Sequence, residues 1–356
     1  MTRPDARSFD VLLAGYFGFS NLGDELLAEA AVDNLTIMGV SRERMAILTN
    51  NIDYTASRLG IKAFSRWNPA SVLGALGTSR TLIFPGGGIF QDASSARSSV
   101  YYWSLIRTAS MKRVPTGALA QSVGPLRGML AKKLASDALS VCKYVSVRDS
   151  ASVDVLSSMN LRCYVTPDPV LGFELPQTVS RETALVNMRP GCDGVYVIPV
   201  VKAANSMSAS GMKITYVAMS GEDASFMRKL RDSGEIPDGG ISEPKNAEDF
   251  SGIARKAAVA AGMRLHFGEL SMLCGLDVLL SPYDPKVRSF AAEWNIGLLT
   301  ESENNENFDI MRLLTNSRFG DKKKLTEVRS RIAADFKKAL GRLLGEDDGF
   351  EKTRRT

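Results

Sequence analysis

Through the first half of the chain, short apolar runs alternate with longer stretches in which apolar residues recur three or four apart, the pattern of a parallel sheet covered by helices. Strands are expected at 11–14, 45–49, 81–84, 116–121, 144–147 and 164–166, with helices at 25–34, 131–140 and 152–159 among them. Prolines at 167, 169 and 176 exclude regular helix and sheet interior there, and the stretch reads as a linker. Beyond it the alternation resumes, with strands expected at 184–188, 213–219, 257–262, 278–281 and 297–299 and helices at 269–275 and 287–294. Pro199 interrupts an otherwise helical pattern over 194–210, which stays undecided. The fold class that follows is α/β. Two Rossmann-like domains with parallel sheets are expected, 1–172 and 173–320, followed by a C-terminal helix and basic tail, 321–356, crossing back onto the N-terminal domain. Such folds bind ligands outside the carboxyl ends of their strands, here in a cleft between the halves.

Composition narrows the function classes. A length of 356 residues exceeds what one hydrophobic core usually supports, and 44% hydrophobic with 23% charged residues is an ordinary globular balance. The net charge of +5 is modest, so no nucleic-acid partner is indicated. The basic excess gathers late, at Lys322, Lys323, Lys324, Arg329, Arg331, Lys337, Lys338, Arg342, Lys352, Arg354 and Arg355. That run reads as a solvated helix face or as a peripheral contact with the anionic cytoplasmic face of a membrane. Cys142, Cys163, Cys192 and Cys274 lie far apart, so neither a metal site nor a disulfide framework is signalled. The polar start of the chain and the lack of a long apolar run make a cytoplasmic location the expectation.

Candidate chemistry clusters after the expected strands. Residues 15–25, including Gly18, Asn21, Gly23, Asp24 and Glu25, join the first strand to a helix. The glycines permit close backbone approach, and the helix start suits an anion. The motif is neither a dinucleotide fingerprint nor a Walker loop. Gly86, Gly87 and Gly88 follow the strand ending at Phe84, with Gln91 and Asp92 available to sugar hydroxyls, and a third loop holds Gln121 to Pro125. Arg148 and Arg189 each follow a strand, where a guanidinium grips a carboxylate or phosphate at two points, or forms a structural ion pair. His266 is the only histidine and stands two residues from Arg264, a spacing that points both side chains to one face in an extended segment. An imidazole beside an anion-binding guanidinium suits proton transfer near neutral pH. Lys286, at the start of another helix, adds a second anion contact or is a surface lysine.

As an ordered set, residues 18–25, Pro85–Gly88, Gln121–Pro125, Ser146–Asp149, Pro167–Pro169, Met263–His266 and Tyr283–Val287 resemble the polysaccharide pyruvyltransferases, over nearly the whole chain. The chain looks closest to the bacterial branch that pyruvylates N-acetylmannosamine of secondary cell-wall polymer, the ligand of surface-layer proteins. The resemblance implies a fold similar to the two-domain GT-B glycosyltransferases, phosphoenolpyruvate as donor, a sugar diol on a lipid-linked glycan as acceptor, and no cofactor. It implies donor contacts at Arg264, Leu265 and His266, with Arg148 or Arg189 and Lys286 beside them. Gly18, Asn21, Asp24, Glu25, Gly87, Gly88, Gln91 and Asp92 become acceptor-side candidates. Ketal formation needs acid and base groups but no redox chemistry, and His266 stands as acid, base or phosphate ligand. A nucleotide-sugar glycosyltransferase and a non-catalytic polysaccharide-binding protein are the alternatives the same fold allows.

Overall fold

Residues 7–91, 96–179, 182–300 and 322–345 are described in the computed structural model. The first sheet starts with β1 (Phe9–Ala14), in which Val11 to Ala14 are fully buried, as an apolar run flanked on both sides requires. There follow α1 (Leu22–Ile37), β2 (Met45–Thr49), α2 (Ile52–Leu59), β3 (Lys62–Ser65), α3 (Pro69–Gly77), β4 (Ser79–Phe84), β5 (Gly87–Phe90) and α4 (Ala96–Met111). The series closes with β6 (Thr116–Val123), α5 (Met129–Ser140), β7 (Tyr144–Val147), α6 (Ser150–Ser158) and β8 (Tyr164–Val165). The strands run parallel in the order β3-β2-β1-β4-β6-β7-β8, with β5 pairing β6.

The second sheet is built from β9 (Thr183–Asn187), α7 (Gly194–Ala209), β10 (Lys213–Val217), α8 (Gly221–Asp232), β11 (Gly239–Ser242) and α9 (Ala247–Ala254). It is completed by β12 (Ala257–Gly262), α10 (Leu265–Leu273), β13 (Asp277–Leu280), α11 (Pro285–Trp294) and β14 (Gly297–Leu298). Its parallel order, β11-β10-β9-β12-β13-β14, is that of a dinucleotide-fold sheet. A last helix, α12 (Lys322–Leu344), ends the described chain. Residues 7–19, 27–169 and 327–345 make one unit; Ser20–Leu26 group with 170–300 and 322–326 in the other.

Three strands have no counterpart in the apolar pattern. β3 and β11 are short edge strands that bury little, and β5 forms inside the glycine cluster, which the sequence reads as loop. Pro199 lies inside α7 without ending it, and Asp193 caps that helix by accepting from Val195 N. Helix α10 begins at Leu265, four residues ahead of expectation. Arg264 and His266 are therefore not two alternate positions of an extended segment but the cap and the second residue of a helix. On α12, Leu325, Val328, Ile332, Phe336, Ala339 and Leu343 form a buried stripe at helical spacing. Its Asp335 accepts hydrogen bonds from Tyr144 (2.5 Å) and Ser146 (2.8 Å) of β7. Part of the basic run serves packing: Lys338 lies 4.0 Å from the Tyr164 ring centroid and Arg342 5.2 Å. Lys352, Arg354 and Arg355 lie outside the described residues. Among those residues no helix is long and apolar enough to cross a membrane.

Candidate active site

In the second sheet the strand order reverses between β9 and β12, where Asn187 stands opposite Gly262. Such a switch point leaves a crevice at the strands' carboxyl ends, because the following loops turn to opposite faces. Asn187 is buried there and ties three strand ends together: Nδ2 donates to Val217 O (2.9 Å) and Oδ1 accepts from Arg264 N (3.0 Å). The side chain thus holds Arg264 at the start of α10, where the arginine's own side chain makes no cap hydrogen bond.

Asp223, in the first turn of α8, is fully buried and takes the Arg264 fork at two points, Nε to Oδ2 at 3.1 Å and Nη2 to Oδ1 at 2.6 Å. Ser220 caps α8 by accepting from Asp223 N (3.3 Å), which fixes the carboxylate on the helix start. Burial pulls the Arg264 pKa down. The bonds and charge of Asp223, with smaller contributions from Tyr283 and Asp24, outweigh it and leave the guanidinium above its ordinary value. Asp24 accepts from Asn21 Nδ2 (2.6 Å), and both stand in the turn that opens α1. That turn is held by Leu22 N donating to Met219 O (2.8 Å), so Asp24 lies in the field of Arg264.

His266 occupies the first turn of α10 and is 15% exposed. Its Nε2 lies 3.9 Å from Glu269 one turn on, and Glu269 is itself buried. On its other side the imidazole packs on the backbone of Gly23, where any Cβ would collide with Nδ1. Arg264 and His266 accordingly face different partners, and the ring is clamped between a carboxylate and a glycine. Leu265 buries its side chain and brings only its backbone to the helix start.

Arg189 follows β9, with its guanidinium 5.0 Å from the Tyr283 ring centroid. Its Nε donates to Pro190 O (3.3 Å), and no carboxylate among the described residues pairs with it. Cys192 lies in the field of Arg189, Arg264, Asp284 and Asp223 together, although burial prevails and raises its pKa. The two guanidinia therefore share one neighbourhood. Asp284 caps α11 through Lys286 N (3.1 Å) and stands 3.6 Å from Lys286 Nζ, so Lys286 arrives with a counter-charge. In sequence, Asp223 and Asn187 are silent. Ser220 with Asp223 reads only as a capping box, and the partner of each residue lies far along the chain.

The other expected residues belong to the first unit or to the turn already described. Arg148 is buried, its Nε donating to Ser122 Oγ (2.8 Å) and its Nη1 paired with Asp168, which makes it an internal ion pair there. Gly18 has φ +78°, and a Cβ would strike Thr49 and the backbone of Asn50 and Asn51, so this glycine answers to a contact between two loops. Gly87 and Gly88 are part of β5. Gln91 follows that strand, its carbonyl accepting from Ser99 Oγ (3.3 Å), and Asp92 lies outside the described residues. Glu25 is buried in the first turn of α1.

The fold is shared with enzymes and complexes of nucleotide sugars. Anabaena HepE, solved in complex with UDP and glucose, is 12% identical over 95% of this chain and 98% of its own, with a TM-score of 0.60. The Neisseria meningitidis UDP-GlcNAc 2-epimerase bound to UDP-GlcNAc is 13% identical over 95% and 100%, also at 0.60, and the Methanocaldococcus jannaschii enzyme is 9% identical over 90% and 98%, at 0.58. At such identities the likeness establishes the double Rossmann, GT-B-like architecture alone. No curated protein matches the chain by sequence. The family model of the polysaccharide pyruvyl transferases matches residues 21–284, and the chain belongs to that family of transferases.

Proposed function

We infer that the chain transfers the pyruvyl unit of phosphoenolpyruvate to two hydroxyls of one sugar, forming a pyruvate ketal and releasing phosphate. The observation that carries this is Arg264, held by Asp223 at the head of α10 beside His266, with Arg189 in its neighbourhood. Phosphoenolpyruvate carries a phosphate and a carboxylate, which call for two cationic groups and a helix start. Arg264 and Arg189 supply the first two, and the amino end of α10 the third. Arg148 is also paired with a buried carboxylate, Asp168, but its side chain is 5% exposed against 19% for Arg264, which makes it the weaker donor candidate.

In the chemistry, one sugar hydroxyl attacks C2 while a proton goes to C3, the C2–O bond to phosphate breaks, and a second hydroxyl closes the ketal. His266 handles a proton in this sequence, oriented by Glu269 and Gly23. Asp24, in the field of Arg264, partners an acceptor hydroxyl. The acceptor is N-acetylmannosamine of a lipid-linked cell-wall polymer precursor. The exposed Lys322, Lys323, Arg331 and Lys337 of α12 touch the anionic membrane surface that presents it.

Phosphate release from phosphoenolpyruvate, dependent on a synthetic lipid-linked N-acetylmannosamine acceptor, tests the reading. His266→Ala is expected to lose about 100-fold or more in kcat, and undiminished turnover would remove the catalytic role. The UDP held by HepE motivates a nucleotide-sugar alternative. Thermal stabilisation by UDP-sugars but not by phosphoenolpyruvate would favour it.

A further inference from the structure

At the carboxyl ends of β1 and β3, five aromatic rings of the first unit close on one guanidinium. Arg66 is 4% exposed, with its Cζ 4.3 Å from the ring centroid of Tyr101, 5.1 Å from Phe19 and Trp67, 5.6 Å from Tyr102 and 5.9 Å from Tyr16. Its Nη1 donates to Gly15 O (2.7 Å). Among the described residues no carboxylate pairs with it, and its buried Nε has no hydrogen-bond partner. A buried cation without a counter-ion is costly, and the aromatic faces are what offset it here. The arrangement fixes rings that would otherwise rotate. Tyr16 stacks on Phe19 at 4.0 Å and 7°, Phe19 meets Trp67 edge-on at 88°, and Trp67 Nε1 donates to Asn50 Oδ1 (2.6 Å).

Among the described residues, part of the surface these rings form is exposed. Trp67 is 60% exposed and Tyr16 40%, beside the exposed Asn51 and Asn68, whose amide oxygens cap α2 and α3 and whose Nδ2 groups are the remaining donors, at the carboxyl edge of the sheet, where such folds bind ligands. Flat ring faces next to uncharged amides match one chemistry closely: a pyranose, whose C–H face is apolar and whose rim is hydroxyl. In a family of polysaccharide transferases that chemistry is present in the substrate. We propose that Tyr16, Phe19 and Trp67 form a saccharide subsite for a sugar ring of the acceptor glycan, with Arg66 as the buried residue that positions them. The subsite rests on the transferase reading only for which glycan it holds.

The test needs no turnover. Wild type, Trp67→Ala and Tyr16→Ala are applied to an array of bacterial cell-wall and capsular oligosaccharides, and phosphoenolpyruvate binding by each is followed by thermal shift. Wild type is expected to hold at least one oligosaccharide class. Both variants should weaken it by about tenfold or more while keeping the wild-type response to phosphoenolpyruvate. Titration with that oligosaccharide should also perturb tryptophan emission, of which Trp67 is one of three sources, and should do so less in Trp67→Phe. Absence of glycan binding by wild type, or equal binding by all three proteins, overturns the subsite. A lower mass of both variants by light scattering, with glycan binding unchanged, assigns the rings to a contact with a second copy of the chain. Failure of phosphate release would sink the transfer chemistry and leave the array result standing.

Discussion

Asp223 grips Arg264 through both carboxylate oxygens, at 3.1 Å and 2.6 Å, across 41 positions of sequence. Because Asp223 is wholly buried and Arg264 is 19% exposed, the pair fixes the guanidinium by its Nε–Nη2 edge instead of leaving a freely rotating side chain, and Nη1 is the nitrogen that Asp223 does not engage. Asp223 touches no ligand in this reading. It positions the residue that does.

Asp223→Asn keeps the shape and removes the charge. Charge-assisted bonds contribute about 1.5–3 kcal/mol, so kcat/KM for phosphoenolpyruvate should fall by roughly 10- to 150-fold. Steady-state phosphate release measures it, and a KM effect larger than the kcat effect is the expected form. Unchanged kinetics would remove Asp223 from the donor site.

Arg264→Lys retains a positive charge but loses the planar fork that meets Asp223 at two points. A loss of at least about tenfold in kcat/KM is expected, since a lysine satisfies one oxygen at a time. A variant as active as wild type would mean that charge alone is needed.

Gly23→Ala places a methyl where the imidazole of His266 sits. The ring must turn away, so kcat should drop much further than thermal stability, whereas Gly74→Ala, within α3 and with nothing near its Cβ, leaves kcat unchanged. Paired melting curves and turnover numbers separate the two effects. A large fall in melting temperature with kcat preserved would show Gly23 to be purely structural.

Asp335 supplies a pH test of the α12 packing. Burial raises its pKa above the ordinary aspartate value, against the hydrogen bonds from Tyr144 and Ser146. The folded state thus holds this proton more tightly than the unfolded chain, and the group's contribution to stability is full at low pH and is lost as pH rises through the raised value. Compared with Asp335→Asn, wild type should gain in relative melting temperature as pH falls from neutral toward about 4. A difference that stays flat would contradict the raised value.

The alternation of apolar runs and amphipathic stretches sufficed for the fold class, because a strand covered on both faces must be apolar throughout, as Val11 to Ala14 and Met45 to Leu48 are. It passed over β3 and β11, which lie at sheet edges and bury little, and β5, whose glycines carry no strand signal. The strand-end positions of Arg189, Arg264, His266 and Lys286 were legible for the same reason: the register of strands and helices puts such residues at one edge of a sheet. Tertiary structure decided how each is used. Arg148 and Arg264 look alike in sequence, each following a strand. Arg148 is buried against Asp168, while Arg264 stands between Asp223 and the crevice. Asp223, Asn187 and the ring of aromatics around Arg66 act through partners distant along the chain, and pattern and spacing report only on neighbours a few residues away.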